Sequence, residues 1–417
     1  MARVFKFFAA FFVTALVIFG AILAFNWDAF NTFYDNRDAM VEGSRWVEDT
    51  YSLRGLSDYI DKNPEHVSLV SNVINSPDST IQYMEDVRRP MGTTANFFIL
   101  LVIADMISSG EVSADSPVSW TRVTDHLLPG VNRSEHEQSY SSAVARDWIN
   151  NSDELTLNHA MRLLAENNAL SLADELWWLI GPERWQTMGE TLGLKDTDMP
   201  LPYSGLYLTL SPGIRNMPAQ EIYDLELVKE KQDFRSSVIE RSRRFIDDAE
   251  FRENTLTYME ENRLGNTFMQ ERDALALFPK TTASEMTAIL EKLVKDEMIS
   301  ADVSQRVKEW MRWPMDQQSG ITRDFADYGA IYDNRMGLLA GIDFGTSKYT
   351  NDTTVQAVFF DRIQIAFWFH MSSNHMHQDF QQRLIYDPAM IDQMNKVQTN
   401  QQEGTSAQNN SLNTTDE

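Results

Sequence analysis

The chain has no cysteine among its 417 residues. That absence excludes a disulfide framework, a zinc-thiolate site and a thiol nucleophile. Basic residues are scarce as well: 36 Lys and Arg stand against 61 Asp and Glu, a formal charge of −25. So acidic a chain repels nucleic-acid phosphates and anionic headgroups, which argues against nucleic-acid binding and against adsorption to a membrane surface. The acidity reads as solubility, and nothing in the sequence gathers it on one face for a cationic partner. Internal repeats are also lacking, so no repeat architecture is expected.

What is present suits a folded protein. Apolar residues make up 43% of the chain, enough to place it among globular rather than disordered sequences. The length allows one large domain or two to three smaller ones.

One long hydrophobic run occurs, from Phe7 to Trp27, and it contains no charge. It is long enough to cross a bilayer as a helix. Arg3 and Lys6 precede it while Asp28 and Asp35 follow. By the positive-inside rule residues 1–6 are cytoplasmic, 7–27 span the membrane and the remainder is extracytoplasmic, in the periplasm or outside the cell. The rival reading is a cleaved signal peptide, for which Ile22-Leu23-Ala24 is a poor cleavage site.

Residues 28–63 read as a stalk, with Asn63-Pro64 marking its end. His66 to Ile74 alternates apolar and polar side chains as a strand does, Asn75-Ser76-Pro77-Asp78 supplies a turn, and Thr80 to Met84 can return as a second strand. Thr94 to Ser109 is apolar almost all round and stops at Gly110, the pattern of a helix buried in a core. Further helices are predicted over Ser141–Asn150, Thr156–Asn167, Leu170–Ile180, Pro182–Leu192, a charged pair between Ala219 and Arg263, Thr282–Lys295 and Ser304–Arg312. Strands return in Tyr328–Leu339, Val355–Phe360 and Ile363–Met371, with Asp361-Arg362 as a hairpin turn between the last two. His375 to Val397 can form a closing helix, and Gln398 to Glu417 has the composition of a disordered tail.

Two strands, a helical block, then three strands and a helix predict an α+β fold. Its antiparallel sheet of about five strands is built from both chain ends and packed on helices, with an all-helical lobe inserted. The main domain is expected over 64–397.

Several segments are scaffold landmarks. Arg89-Pro90-Met91 precedes the buried helix, Ser109 to Val118 follows it, and Leu179-Ile180-Gly181-Pro182-Glu183 and Thr281 to Met286 come later. In order and spacing these segments resemble the class A β-lactamases and related penicillin-recognising serine hydrolases, over roughly residues 64 to 395. The resemblance implies a site between sheet and helical lobe, with a hydroxyl nucleophile, a base to take its proton and donors for the oxyanion.

At the positions that carry this chemistry the residues differ. The first family motif, Ser-x-x-Lys, falls on Thr93 and Asn96. Spacing of three keeps both on one helix face, but an amide cannot accept a proton at neutral pH. The second, Ser-Asp-Asn, falls on Glu166-Asn167-Asn168, where Asn168 retains a substrate-facing amide. The third, Lys-Thr-Gly, best matches Arg335-Met336-Gly337, which keeps the charge and the glycine. No Glu-x-x-Leu-Asn segment is found, and that region reads Leu201 to Tyr207. No lysine anywhere in the chain has Ser or Thr three positions before it, so an intact first motif is not hidden elsewhere.

Each of these residues also has a plain structural reading. Thr93 can cap the helix that follows it. Glu166 can be a solvated or Arg335-paired carboxylate instead of a replacement base, and Arg335 can hold an anion in the cleft or serve a salt bridge. His370, His375 and His377 read as surface histidines, since no carboxylate is spaced to complete a metal site with them. Neither a metal nor another cofactor is expected. Trp177-Trp178 and Phe367-Trp368-Phe369 fit core packing.

The sequence therefore reads as a membrane-anchored, extracytoplasmic β-lactamase-like protein whose catalytic positions are degenerate. Asn96, Asn168, Arg335 and Gly337 are its candidate binding residues, and the expected partner is a cell-wall peptide or an envelope protein. The alternative is a divergent hydrolase of the family with Thr93 as nucleophile, Glu166 as base and Arg335 holding a substrate carboxylate.

Overall fold

The structure is a computed structural model describing residues 53–74, 76, 79–211, 233–265, 267–312, 333–347, 349–373 and 375–413, with isolated helical positions at 34, 37, 41, 44 and 47. The expected membrane span at 7–27 and most of the expected stalk lie outside the described residues. Among those described, no helix is long and apolar enough to cross a membrane.

The chain opens with α1 (Leu53–Lys62), β1 (Val67–Val73), β2 (Ile81–Tyr83) and the short β3 (Arg89–Pro90). Next come α2 (Asn96–Ser108), β4 (Pro117–Ser119), α3 (Trp120–Asp125), α4 (Arg133–Ala145) and β5 (Glu154–Thr156). The helical block continues with α5 (Leu157–Asn167), α6 (Leu170–Ile180), α7 (Pro182–Leu192), α8 (Tyr203–Leu210), α9 (Asp233–Asp247), α10 (Ala249–Asn262) and α11 (Phe268–Ala274). After β6 (Lys280–Thr281) follow α12 (Ala283–Val294), α13 (Ala301–Met311), β7 (Asn334–Met336), β8 (Gly341–Thr346) and β9 (Thr353–Phe360). The last helices are α14 (Ile365–Ser373), α15 (Met376–Tyr386) and α16 (Pro388–Asn413).

Five strands form one sheet in the order β2-β1-β9-β8-β7, and every neighbouring pair is antiparallel. β9 sits at the centre because its Val355 to Phe360 run can be buried on both faces. With a side-chain period of two, Val355, Ala357 and Phe359 join the large core shared with the helical lobe. Val358 and Phe360 face the other way, into a second core with Leu56, Tyr59, Phe380 and Leu384. Each large apolar side chain removed from water in these cores contributes about 1.5–3 kcal/mol before conformational entropy is subtracted.

α2 is the spine of the larger core, with Phe97 to Ala104 all buried. It ends at Ser109-Gly110, where Gly110 takes φ +76 and the Glu111 N–H bonds the Met106 carbonyl at 2.9 Å. The expected landmark before it has a structural cause. Buried Arg89 donates to Ser68 Oγ at 2.7 Å and to the carbonyls of Pro64 at 2.8 Å and Val67 at 3.1 Å, tying the entry of β1 to the approach to α2.

Several expectations are corrected. The segment expected as a strand over Ile363–Met371 is helical from Ile365 onwards, as α14, and Asp361-Arg362 leads towards it without making a hairpin. Ile363, Phe367 and Met371, spaced by four, are the buried positions, while Trp368 is exposed. A short apolar run fits either period, and here the helical one is adopted, with the ring of Phe367 packed 4.6 Å from that of Tyr59. The third C-terminal strand is instead β8, whose Gly341-Ile342-Asp343-Phe344-Gly345 pattern looks like a loop because it places a carboxyl in the sheet. The expected strand at Tyr328–Leu339 is only Asn334–Met336 within the described residues.

The helix expected at Ser141–Asn150 runs from Arg133 to Ala145. Asn132 enters it with φ +51, its side chain accepting the Leu170 N–H at 2.8 Å, and Asp147 leaves with φ +55. α1 lies inside the domain ahead of the boundary expected at Asn63-Pro64, with Leu56, Tyr59 and Ile60 fully buried. The single closing helix is broken at Asp387-Pro388 into α15 and α16. α16 continues to Asn413 through the polar segment read as a tail. Its first part is tied down: Gln398 Oε1 accepts the Gln82 N–H at 3.3 Å, and Asn400 Nδ2 bonds Asp61 at 3.2 Å.

Gly205 is required by close helix approach. A Cβ there would lie 2.1 Å from the Val238 carbonyl oxygen on α9. Gly205→Ala is expected to destabilise the fold by about 1–3 kcal/mol, read from urea unfolding, because backbone and not a pliable side chain must move. An unchanged midpoint would refute the tight α8–α9 contact.

Candidate functional site

Thr93 lies in the 3-10 turn Gly92–Ala95 that leads into α2. Its hydroxyl does not cap that helix. Thr93 Oγ1 accepts the backbone N–H of Leu338 at 3.0 Å, so the turn is stitched to the end of β7. Gly337 makes this approach possible. It holds φ +105, and a Cβ would fall 2.2 Å from the Ala340 carbonyl oxygen and 2.7 Å from Thr94 Cγ2.

Asn96 opens α2 and is completely buried. Its Oδ1 accepts the Tyr203 hydroxyl at 3.0 Å, and the same hydroxyl lies 3.1 Å from the Gly92 carbonyl. Tyr203 is held from behind: the Asp174 carboxylate accepts the Tyr203 N–H at 2.6 Å and the Ser204 N–H at 2.7 Å, closing the start of α8. Burial, reinforced by the Asp174 charge, pushes the Tyr203 phenol well above its ordinary range, so it stays a donor. Where the family resemblance implies a basic amine beside the hydroxyl, this protein packs an amide against a phenol.

Glu166 is neither solvated nor paired with Arg335. Its Oε1 accepts Arg162 Nε at 2.5 Å and its Oε2 accepts Arg146 Nη2 at 2.8 Å, with 6% of the side chain exposed. Arg146 in turn stacks on Trp148, 4.4 Å from the ring centre, and Trp148 lies parallel to His159 at 4.4 Å. Arg162 also donates to the carbonyls of Glu309 at 2.8 Å and Trp310 at 3.1 Å, bridging α5 to α13.

Asn168 ends α5 in the left-handed region at φ +53, a conformation asparagine tolerates. Asn167 and Asn168 are both buried, and among the described residues Asn167 Nδ2 and Asn168 Oδ1 have no partner. Arg335 Nη1 donates to the Gly337 carbonyl at 2.6 Å, and its Nη2 lies 3.0 Å from where a Gly341 Cβ would stand. Across the ladder its partner is Asp343, whose carboxyl burial pushes well above its ordinary range, with the Arg335 charge opposing. Gln381 Nε2 donates to Asp343 at 2.7 Å.

Glu166, Asn168, Arg335 and Gly337 line one cleft of about 220 Å³, together with Asn167 and Leu338. Thr93 and Asn96 are not among its walls; Thr93 meets it through Leu338, and Tyr203 covers Asn96. The arginine pair around Glu166 was missed from sequence, although Arg162 and Glu166 stand at the i,i+4 spacing of a helix pair. His377, read as a surface residue, is buried, and its Nε2 donates to the Leu338 carbonyl at 2.7 Å.

Comparison with known proteins is decisive at the level of family. Residues 54–364 match the family described as the β-lactamase enzyme family. The chain belongs to that family. The match spans the sheet, the lobe and the segments quoted above as landmarks. Among solved structures, this β-lactamase-family chain is similar to the TLA-1 extended-spectrum β-lactamase at 11% identity, covering 84% of this chain and 99% of that one with a TM-score of 0.45. It is also similar to a class A β-lactamase of Bacteroides cellulosilyticus at 13% identity, covering 81% and 97% with a TM-score of 0.43. A third is a penicillin-G acyl-enzyme of a PBP-A variant, at 10% identity, covering 84% and 96% with a TM-score of 0.42. No curated protein matches the chain.

Proposed function

We propose that this member of the β-lactamase family does not acylate. It is held at the membrane by its N-terminal run and binds a peptide segment of the cell wall, or of an envelope protein, in the cleft beneath Leu338. The reading rests on the state of the Thr93 hydroxyl. The backbone N–H of Leu338 is taken by the hydroxyl oxygen itself and cannot serve an oxyanion. Neither expected base is in position among the described residues: Asn96 is an amide bonded to Tyr203, and both oxygens of Glu166 are occupied by guanidinium donors. Loss of the base costs about 10²–10⁴ in rate. Loss of one oxyanion donor costs about another 10²–10³.

The same cleft is suited to holding a peptide group. Asn167 and Asn168 line it, and their buried Nδ2 and Oδ1 have no partner among the described residues, a donor and an acceptor that a peptide unit reaching them would satisfy. The full-length protein incubated with a fluorescent penicillin is expected to carry no covalent label, and Thr93→Ala to behave identically. Labelling that disappears in Thr93→Ala would overturn the proposal and restore the hydrolase reading.

A further inference from the structure

Apart from the cleft, α4 borders a second and larger opening on the helical lobe. This pocket of about 490 Å³ is lined by Trp120, Thr124, His136, Glu137, Tyr140 and Asp153 among others. It is a shallow depression wide open to solvent, with a volume in the range of small-molecule sites. Trp120 packs against both other rings, 5.2 Å from His136 and 5.4 Å from Tyr140 between centroids; Trp120 and His136 are buried, so the aromatic wall of the pocket is the exposed ring of Tyr140 backed by Trp120.

His136 is 7% exposed, and its Nδ1 lies 2.8 Å from the Ser171 hydroxyl, which is buried behind it. Ser171 makes no other side-chain hydrogen bond among the described residues, so its proton goes to Nδ1. With that donation Nε2 carries the hydrogen; it has no protein partner among the described residues and borders the pocket. Burial holds the imidazole below its ordinary pKa, so the ring stays neutral at physiological pH. Opposite in character are the carboxylates. Asp153 receives only long bonds, 3.4 Å from both Thr121 Oγ1 and the Tyr140 hydroxyl, and so retains acceptor capacity.

These groups discriminate between ligand classes. Asp153 repels an anion, Glu137 being already paired with Arg133 at 2.7 Å, and a simple cation leaves the desolvated His136 N–H facing like polarity. A neutral polyol satisfies both, donating hydroxyls to Asp153, accepting from His136 Nε2–H and laying its C–H face on the aromatic wall. We propose that this pocket binds a neutral saccharide unit. It stands on α4 beside the cleft, to which the same helix contributes Gln138 and Ser142, but its argument does not depend on what the cleft holds.

The test titrates full-length protein with cellotriose and with the β-1,4 trimer of N-acetylglucosamine, following saturation-transfer NMR and calorimetry, with tetramethylammonium as the cationic control. At least one trimer is expected to bind saturably. Tyr140→Ala and Asp153→Asn, both at the surface and compatible with the fold, are each expected to weaken it about tenfold with unchanged melting temperature. Failure of both sugars to bind, binding that neither variant weakens, or binding of tetramethylammonium in their place would each overturn the proposal. Penicillin labelling is unaffected by any of these outcomes, so the two proposals fail separately.

Discussion

Glu166→Gln is expected to lower the unfolding free energy by about 3–5 kcal/mol, measured by urea denaturation at neutral pH. The carboxylate is 6% exposed and neutralises two guanidinium groups that are themselves largely buried, at 15% and 17% side-chain exposure. Glutamine keeps the volume and one acceptor but leaves Arg146 and Arg162 charged and uncompensated. Arg162 retains the Glu309 and Trp310 carbonyls, whereas Arg146 retains its stacking on Trp148, so the loss falls mainly on Arg146. A double variant, Glu166→Gln with Arg146→Met, is expected to recover part of that loss, because the unpaired charge goes with the arginine. The hydrolase reading predicts the opposite pattern, a stable protein that loses turnover when Glu166 is changed. A small stability effect together with a lost activity would therefore defeat both the structural role given to Glu166 and the non-acylating function.

The second large effect is a loss of stability on acidification, centred on His377. Burial, with the nearby Arg335 charge adding to it, pushes this imidazole from 6.5 down to about 4. Its folded-state pKa is depressed, so the unfolded chain binds the proton more readily. The contribution is complete above pH 6.5 and is lost as pH falls towards 4. At about 1.4 kcal/mol per unit, the window is worth about 3 kcal/mol. His377→Gln, which can still donate to the Leu338 carbonyl, is expected to remove its share of the slope between these limits, leaving a contribution of the same sign from His136 and His159 and one of opposite sign from the raised carboxyls of Asp343, Asp174 and Glu271. A wild-type profile as flat as that of the variant would disprove the neutral, buried state of His377. Since Leu338 is also the residue bonded to Thr93, acid is expected to loosen that edge of the cleft first.

Much of the framework was legible because its signals are local. Phe97 to Ala104 can only be a buried helix, β1 shows its period of two, and α6 and α7 follow apolar spacing bounded by Gly181-Pro182. The errors occur where two periods fit one run or where a polar residue enters the core. Ile363 to Met371 reads as a strand in sequence, yet from Ile365 it is a helix that packs Phe367 on Tyr59. Asp343 hid β8, because a buried carboxyl in a strand makes sense only with Arg335 across the ladder and Gln381 above it.

The site was legible in its identities and illegible in its pairings. Sequence alone determined that a hydroxyl and an amide stand where a nucleophile and a base are required, that no intact motif lies elsewhere, and that the framework is α+β with both chain ends in one sheet. These follow from residue type and from spacing along the chain. Only the tertiary structure decided that Tyr203 covers Asn96, that Leu338 occupies Thr93, that Glu166 belongs to Arg146 and Arg162, and that His377 is buried. Hydrogen bonds and ion pairs between residues far apart in sequence depend on distances of a few ångströms, and those are set by the packing of whole elements against one another.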